Sequence, residues 1–310
     1  MNIEGFIATL GTRSTETRRA YRQDIEKYQA FLLMKGMHAT EAKASTIREF
    51  VSYLSEHHGR TVSGAPAPAT VSRWLAVVSA YYTFLGEDSD DDVPNPVNKV
   101  KRPKVENAFV HRDIEDQTLA TLVEGITDLR DRAIVLLFIY SGLRLSELRG
   151  LNKDTIRFRR CQKEDGSFVF FGYGETVGKG NKLRDFEIGP KAAGTLKEYI
   201  NVCLLKNGKP TDENPALFRS SRKQRVSCRA IQQIVDKWCK RLELKHIHIH
   251  QLRHSFATRN VNAGMSSAVL QKLLGHANPN TTQRYFHMKK ERITREFFSV
   301  MEYLSQTSPV

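Results

Sequence analysis

Two arginines, two histidines and one tyrosine in the second half of the sequence are of the types that phosphodiester chemistry requires. Arg144 stands in Ser-Gly-Leu-Arg-Leu-Ser-Glu-Leu, and His250 and Arg253 share His-Gln-Leu-Arg-His. His276 follows Leu-Leu-Gly and precedes Tyr285 by nine residues. Arginines can neutralise charge on the non-bridging phosphate oxygens, and imidazoles can donate and accept protons. Because a tyrosine phenol can form a covalent phosphotyrosine, the set suits attack by tyrosine on a phosphodiester.

Structural roles are the alternatives for the residues around Arg144. This arginine follows a strongly apolar segment, and on its own it could simply pair with Glu147 or Asp154. The presence of Arg253 favours the chemical role, because two guanidiniums can hold one phosphate from two sides. Glu147 is predicted to orient a basic neighbour, and an ordinary surface carboxylate is the alternative. His250 and Arg253 are three residues apart and would share a helical face.

In this order, the motifs resemble those of the tyrosine recombinase family, also called phage integrases, from about residue 14 to about residue 304. The family's Gly-Leu-Arg-x-x-Glu, His-x-x-Arg and Leu-Gly-His segments and its tyrosine are all present. The family also has a lysine in a β-hairpin turn, which Lys179 matches in Val-Gly-Lys-Gly-Asn-Lys-Leu-Arg. The resemblance implies these catalytic residues: Arg144, Lys179, His250, Arg253, His276 and Tyr285.

The resemblance also implies a role for each group. Tyr285 would be the nucleophile, and His250 would accept its proton, since a free phenol has a pKa near ~10. His276 would donate a hydrogen bond to the phosphate. Lys179 would protonate the departing 5′ oxygen.

The lysine assignment has an alternative in Lys182. About 35 residues separate Arg144 from Lys179, which is more than in compact Xer-type members of the resembled family. The additional length lies at residues 159–174 around an Asp-Gly pair, which is typical of an extended β-hairpin.

Three histidines alternate at His246, His248 and His250. On a strand they would share one face, where metal binding is conceivable. No Asp, Glu or Cys nearby is expected to complete a site, and strand transfer through tyrosine, as the resemblance implies it, needs no metal. We therefore expect neither a metal nor another cofactor.

The charge of the 310-residue chain is unevenly placed. Residues 1–100 carry 11 lysines and arginines against 12 acidic residues, whereas residues 101–310 carry 37 against 22. A basic surface often serves solubility alone. Here the positive charge falls in the half that holds the phosphate-chemistry motifs, which favours a nucleic-acid partner.

Compartment and membrane contact are also indicated by the sequence. Four cysteines are scattered without a Cys-x-x-Cys pair, and we interpret them as reduced thiols. The first residues do not resemble a signal peptide, and no apolar run approaches the ~18 residues of a membrane span. We expect a cytoplasmic protein with no membrane partner.

Residues 1–86 are predicted to form an α-helical, SAM-like core-binding domain. One helix should run from a cap at Ser14 to about Met34, and a second should begin at a capping box of Thr46 and Glu49. Thr70 should cap a third, whose aromatic residues at helical spacing indicate core. A linker follows at residues 87–110, where prolines block a helix.

Residues 111–310 are predicted to form a mixed α+β catalytic domain. Helices are expected at residues 116–125, 129–140, 190–205, 228–242, 250–263 and 267–274, and strands at 155–159, 167–171 and 182–188. A final helix at about 291–304 has one apolar stripe, formed by Ile293, Phe297, Val300, Met301 and Leu304. It could fold back on its own domain, but the resemblance implies docking on a neighbouring protomer, which we favour.

The resemblance thus implies a multidomain α and α+β protein that acts on double-stranded DNA at specific recombination sites. Strands would be cut and rejoined through a 3′-phosphotyrosyl intermediate and a Holliday junction, in a homotetramer joined by the C-terminal helix. A type IB topoisomerase and a non-catalytic DNA-binding regulator are the alternatives. Because the helical pattern begins at about Ser14, we expect no N-terminal arm-binding domain, which favours a simple Xer-like or transposon-type member.

Overall fold

The computed structural model divides into two compact units, Met1–Ala108 and Phe109–Val310. Lys179 and the predicted helix at 291–304 lie outside the described residues. The structure describes residues 1–58, 66–88, 93–104, 114–178, 182–206, 209–210, 213–276, 278–283 and 285–286.

The described part of the first unit is helical. It contains α1 (Ile3–Thr9), α2 (Thr15–Met34), α3 (Ala44–His58) and α4 (Pro68–Asp88), with short 3₁₀ turns at Ala39–Glu41 and Pro96–Lys99.

The helix starts in this unit follow local capping chemistry. The prediction for α2 is confirmed, because the Ser14 hydroxyl accepts the backbone N–H of Thr17. The predicted capping box of α3 is wrong: Thr46 lies inside the helix and accepts the N–H of Lys43 at 3.1 Å. The predicted cap at Thr70 is also wrong, since α4 begins at Pro68. Proline suits a first helical position because its fixed φ is helical and no N–H is needed there.

The core of the first unit is aromatic, as predicted. Every aromatic residue that the sequence placed on the core face of α4, such as Trp74 and Tyr81, is buried. Tyr82 donates to the Ala39 carbonyl at 2.7 Å, so the hydroxyl of Tyr28, 2.7 Å away, donates to Tyr82. Residues within the predicted linker join this core, because Val97 is buried in it.

The described part of the second unit mixes helices with a small antiparallel sheet. Its helices are α5 (Asp116–Gly125), α6 (Leu129–Ser141), α7 (Leu145–Gly150), α8 (Pro190–Tyr199), α9 (Cys228–Arg241), α10 (Ile249–Asn262), α11 (Ser267–Leu274) and α12 (Pro279–Gln283). Its strands are β1 (Ile156–Gln162), β2 (Phe168–Val177), β3 (Leu183–Ile188), β4 (Leu205–Lys206) and β5 (Lys209–Pro210). A π-helical turn, Ile200–Leu204, follows α8.

The three-stranded sheet has the order β1-β2-β3, and both pairs are antiparallel. The extended hairpin predicted at residues 159–174 is confirmed by the pairing from Ile156 with Gly174 to Gln162 with Phe168. Phe158 and Phe170 stack on the same face of this hairpin, with ring centroids 5.3 Å apart. At the base of the next hairpin, the Gly178 N–H donates to the Lys182 carbonyl at 2.8 Å. Strands β2 and β3 are thus paired up to the described residues on either side of 179–181.

Helix α6 lies at the centre of the second unit's core. Residues from Ala133 to Ile139 are buried on every side of it, as its continuous apolar sequence requires. The helix ends at Gly142, which has φ of 61°. A Cβ there would approach the Phe256 ring to 2.5 Å, so glycine is needed both for the conformation and for the contact with α10. This turn brings Arg144 to the start of α7.

Among the described residues, no helix is long and apolar enough to cross a membrane.

Candidate active site

Arg144 and Glu147 are fixed together at the N-terminus of α7. The Arg144 backbone N–H donates to Glu147 Oε2 at 2.7 Å, and its guanidinium donates from Nη1 to Oε1, also at 2.7 Å. The Glu147 side chain is only 1% exposed, whereas the Arg144 side chain is 27% exposed. The carboxylate therefore serves as a buried support, and the arginine keeps access to solvent.

Glu147 binds more than one arginine. Arg184 on β3 donates to both carboxylate oxygens, from Nε at 3.1 Å and from Nη2 at 2.6 Å. Arg253 Nη1 lies 3.8 Å from Glu147 Oε2. Burial alone would raise the pKa of Glu147, but hydrogen bonds from Arg184 and Arg144 outweigh burial and hold the pKa below its ordinary value. Glu147 is therefore ionised and forms hydrogen bonds with both Arg144 and Arg184.

The same arginines reach consecutive carbonyls at the C-terminal end of α11. Arg184 donates to Leu273 at 2.7 Å, Arg253 to Leu274 at 2.6 Å, and Arg144 to Gly275 at 2.9 Å. The last carbonyls of a helix have no partner within the helix and form the negative end of its dipole. The guanidiniums thus satisfy these carbonyls and fix the Leu-Gly-His segment to the arginine cluster.

Arg253 on α10 is the most buried of the site's arginines, with a side chain 7% exposed. It also donates to the Gly142 carbonyl at the end of α6. Burial and the nearby charge of Arg144 lower the pKa of Arg253 to about 10, while Glu147 and Tyr285 oppose this shift. Arg253 therefore remains a cation near neutral pH in surroundings of low dielectric, where its charge acts strongly.

His276 follows α11 directly and contacts both Arg253 and α12. Its Nε2 lies 3.2 Å from Arg253 Nη2, and its Nδ1 lies 2.9 Å from the hydroxyl of Thr282. The backbone carbonyl of His276 accepts from Gln271 at 3.1 Å. Burial, followed by the charges of Arg253 and Arg144, lowers the pKa of His276 to about 4. The imidazole is therefore neutral near pH 7.

His250 lies in the first turn of α10, one turn before Arg253. More than a third of the His250 surface is exposed to solvent, and neighbouring protein atoms cover the remainder. This partial desolvation, and then the charges of Arg253 and Arg144, lower the pKa of His250 below its ordinary value. A neutral imidazole at this position can accept a proton.

The alternating histidines do not lie on a strand. His248 is the N-cap of α10, and the ring of His246 contacts it with an Nε2–Nδ1 distance of 3.0 Å. His246 also lies 3.2 Å from Asp236.

Tyr285 lies just after α12, against a small apolar cluster that includes Phe256 and Leu274. Its backbone N–H donates to the Thr282 carbonyl at 3.0 Å. Its ring centroid is 5.3 Å from that of His254, a residue to which the sequence assigned no role.

Among the described residues, Arg253 contacts His276 directly, and the carboxylate of Glu147 lies between Arg253 and Arg144. His250 lies on the same helix as Arg253. The Tyr285 backbone N–H donates to Thr282, whose hydroxyl contacts His276. Lys179 is not among the residues that the structure describes.

Two residues of this cluster, Arg184 and Thr282, were missed by the sequence analysis. A signal for Arg184 exists, since it shares one face of β3 with the buried Phe186 and Ile188. A charged residue at a core-facing strand position indicates a buried ion pair. Thr282 carries no comparable signal.

Comparison with known proteins agrees with this architecture. The sequence model of the phage integrase family matches residues 110–292, and that of the phage integrase N-terminal SAM-like domain matches residues 3–88. Tyrosine recombinase XerC of Pseudomonas entomophila (strain L48) is 31% identical over 291 residues, which cover 92% of this chain and 90% of that protein. Tyrosine recombinase XerC of Thermodesulfovibrio yellowstonii is 32% identical over 284 residues, covering 89% and 86%.

Two solved structures show the same fold. The XerH site-specific recombinase bound to palindromic difH substrate, a post-cleavage complex, matches with a TM-score of 0.68 at 18% identity and covers 92% of this chain and 80% of that chain. A lambda integrase dimer bound to a core site matches with a TM-score of 0.64 at 15% identity, covering 92% and 94%. The predicted fold class, a SAM-like helical domain followed by a mixed catalytic domain, is confirmed. The chain belongs to the phage integrase family of tyrosine recombinases and is a site-specific recombinase of Xer type.

Proposed function

We propose that this recombinase cuts and rejoins double-stranded DNA through a 3′-phosphotyrosyl intermediate on Tyr285. The observation that carries the proposal is a pair of arginines beside the neutral His276: Arg144 is hydrogen-bonded to the buried carboxylate of Glu147, and Arg253 lies 3.8 Å from it. Such a pair supplies donors from two sides of one phosphate. The sequence alone would also allow the two arginines to form separate ion pairs at different places. Their proximity to one carboxylate supports a common site instead.

The charge of the cluster suits a phosphodiester. Arg144, Arg184 and Arg253 bring three positive charges to the single negative charge of Glu147. The excess positive charge can neutralise a phosphodiester and the further negative charge that develops on its oxygens during attack. The guanidiniums are held by backbone carbonyls before substrate arrives, so little reorganisation is required at the moment of reaction.

In the proposed cleavage step, the phenolic oxygen of Tyr285 attacks the phosphorus and its proton passes to His250. The bond from phosphorus to the 5′ oxygen breaks, and that oxygen leaves as a hydroxyl with a proton from Lys179, or from Lys182 as the alternative. The 3′ phosphate remains on the tyrosine. His276 donates a hydrogen bond to a non-bridging oxygen.

In the proposed rejoining step, the 5′-hydroxyl of a partner duplex attacks the phosphotyrosyl bond and releases Tyr285. Exchange of the second pair of strands then proceeds through a Holliday junction. The phosphotyrosyl bond retains the energy of the phosphodiester, so the chemistry requires neither nucleotide hydrolysis nor a metal. We infer that four copies act on two sites, that the C-terminal helix joins them, and that the work is done in the cytoplasm.

The DNA partner is supported by the related structures, in which XerH is bound to difH and lambda integrase to a core site. It is also supported by the surplus of lysine and arginine in residues 101–310, where 37 stand against 22 acidic residues.

The proposal can be tested by trapping the covalent intermediate. The Tyr285→Phe variant, which keeps the ring and lacks the nucleophilic oxygen, would first select a binding site from random-sequence duplex DNA. That site, nicked a few nucleotides beyond the position of cleavage, would then be incubated with the unaltered protein. We expect a protein–DNA adduct that survives denaturation, and none with Tyr285→Phe.

Two outcomes would count against the proposal. An adduct that persists in Tyr285→Phe would place the nucleophile on another residue. Site-specific binding with no adduct on the nicked site would indicate a DNA-binding regulator. A plasmid carrying one site would further separate recombination from type IB topoisomerase activity, which would relax supercoils without joining two sites.

A further inference from the structure

The hydroxyl of Thr282 lies beside the catalytic imidazole at a position that the proposed mechanism does not yet use. Its oxygen is 2.9 Å from His276 Nδ1, and the residue is 1% exposed. The carbonyl of the same residue accepts the backbone N–H of Tyr285 at 3.0 Å. One buried threonine therefore binds the ring of one proposed catalytic residue and the backbone of another.

The contact with Arg253 determines where the proton of His276 lies in the DNA-free protein. A guanidinium can only donate hydrogen bonds, so His276 Nε2, 3.2 Å from Arg253 Nη2, must be the acceptor. The imidazole is neutral, because burial and the arginine charges lower the pKa of His276 to about 4. The single ring proton is therefore on Nδ1, which donates it to the hydroxyl of Thr282.

This tautomer is the wrong one for the proposed reaction. A hydrogen bond from His276 to a phosphate oxygen requires the proton on Nε2, the nitrogen that faces Arg253. A hydroxyl, unlike a carbonyl or a carboxylate, can turn from acceptor to donor. If the Thr282 hydroxyl donates to Nδ1, the neutral ring can carry its proton on Nε2.

We propose that Thr282 is a positioning residue that lets neutral His276 exchange one tautomer for the other when a phosphate enters the site. In the DNA-free protein Nδ1–H donates to Thr282, and Nε2 accepts from Arg253. When the phosphate draws the Arg253 donors to itself, Nε2 takes a proton from water, and the resulting imidazolium returns its Nδ1 proton to water. The Thr282 hydroxyl then turns to donate to Nδ1, and the ring is neutral before and after the exchange.

The hydrogen bond from the Tyr285 backbone N–H to the Thr282 carbonyl gives Thr282 a second role. The threonine belongs to α12, a single five-residue turn, and Tyr285 follows within three residues. The bond from its hydroxyl to His276 therefore also fixes the distance between the His276 ring and the backbone of the nucleophile. This inference rests on the proposed function, because it assigns His276 the role of donor to a phosphate.

The test uses Thr282→Val, which keeps the branched shape and lacks the hydroxyl, and Thr282→Ser, which keeps the hydroxyl. Thr281→Val is the matched control, since it makes the same change at the adjacent position of α12. The first measurement is the nitrogen-15 spectrum of the imidazole rings in the full-length, DNA-free protein, with His276 assigned through His276→Gln. We expect a protonated Nδ1 in the unaltered protein, in Thr282→Ser and in Thr281→Val.

The second measurement places the Tyr285→Phe protein on its selected DNA site, where we expect the His276 proton on Nε2. The third is single-turnover strand cleavage. In metal sites, loss of a group that orients a histidine typically costs about 10- to 100-fold in activity. We expect a loss of that size for Thr282→Val, and less than about threefold for Thr282→Ser and Thr281→Val.

The results separate this inference from the proposed function. A protonated Nε2 in the DNA-free protein would overturn the tautomer assignment, whatever the cleavage result. Equal cleavage rates for Thr282→Val and Thr281→Val would also overturn the inference, while leaving Tyr285 as the nucleophile. If Thr282→Val fails to fold, the test rests on the His276 tautomers of the unaltered and Thr282→Ser proteins. The inference then requires the proton on Nδ1 without DNA and on Nε2 with DNA, and any other result overturns it.

Discussion

Glu147 is the residue on which the arginines of the site depend. Its carboxylate is buried and ionised, with Arg144 and Arg184 bonded to it and Arg253 close by. A buried charge is tolerated only when its partners remain, and removal of one partner leaves the others uncompensated. We therefore expect Glu147 to stabilise the site and to position the arginines for the phosphate of the proposed mechanism.

Replacement of Glu147 by glutamine tests this dependence. The neutral amide keeps the shape but leaves the guanidiniums without a counter-charge. We expect the free energy of unfolding of the second unit to fall by about 3 kcal/mol, as for breaking a buried ion pair. Urea denaturation of the full chain gives the measurement. Glu187→Gln is the matched control, because its partner Arg159 is exposed and such pairs contribute about 0–1 kcal/mol. Equal losses from the two variants would contradict the role of Glu147.

The protonation of His250 gives a prediction about pH. Partial desolvation and the charges of Arg253 and Arg144 both disfavour the imidazolium and lower the pKa of His250 from its ordinary value of 6.5. In the proposed mechanism, the ability of His250 to accept the Tyr285 proton is present above this lowered pKa and is lost as the pH falls through it. We expect an NMR titration of His250 in the DNA-free protein to have its midpoint below 6.5.

Arg144→Gln should raise that midpoint, because one of the repelling charges is removed. Arg149→Gln makes the same change on the exposed side of α7 and should leave it in place. A midpoint at or above 6.5 in the unaltered protein would show that the arginine charges do not reach His250.

At the scale of elements, four segments that are far apart in the sequence meet at the C-terminal end of α11. Helices α7 and α10 and strand β3 each supply one arginine to its last carbonyls. Strand β3 also pairs with β2, and the sequence predicts Lys179 in the turn between these two strands. The hairpin is consequently fastened to the arginine cluster through Arg184, five residues after Lys179 in the sequence.

The position of Lys179 in this hairpin predicts its effect on the leaving group. Lys179→Ala should slow strand cleavage by about 10²–10⁴-fold, the usual contribution of a general acid. A substrate with sulfur at the 5′ bridging position should restore the rate, because a thiolate leaves without a proton. Lys182→Ala is the matched control in the same turn. Rescue that appears with Lys182→Ala and not with Lys179→Ala would assign the acid to Lys182.

The elements that the sequence predicted best have strong local signals. The bounds of α5 and α11 match the predicted residues. For α11 the signal is local, because Ser266 caps its start and Gly275 ends it in the left-handed conformation. The starts of α3 and α4 were wrong because several polar residues near each start could serve as a cap. Only contacts with the rest of the chain decide among them.

Contacts between distant residues explain what the sequence could not show. Arg184 lies 37 residues from Glu147 and 89 from Leu273, so no local pattern connects them. The type of each proposed catalytic residue was visible in a motif, but the shared carboxylate and the carbonyls of α11 were not. For the same reason the bond from Thr282 to His276, six residues apart across a turn, appears only in the structure.

At the scale of the whole molecule, assembly is predicted from a segment outside the described residues. The apolar stripe at about 291–304 would be left exposed unless the helix packs on a partner or on its own chain, and such stripes usually mark an interface. We expect deletion after Lys290 to leave binding to a single site nearly unchanged and to reduce pairing of two sites and recombination sharply.

Native gel mobility of one-site and two-site complexes, with and without the deletion, measures this effect. Leu304→Ser, a single polar change on the stripe, is a milder variant that should weaken pairing without shortening the chain. Normal pairing and recombination by the truncated protein would show that the segment does not join protomers.

The most direct test of the account is to identify the residue that carries the DNA. The trapped adduct would be digested with nuclease and trypsin and examined by mass spectrometry. Cleavage after Arg284 gives the peptide Tyr-Phe-His-Met-Lys, whose only tyrosine is Tyr285. We predict a nucleotide joined to that tyrosine through its 3′ phosphate. A nucleotide on another residue, or one joined through a 5′ phosphate, would contradict the central claim.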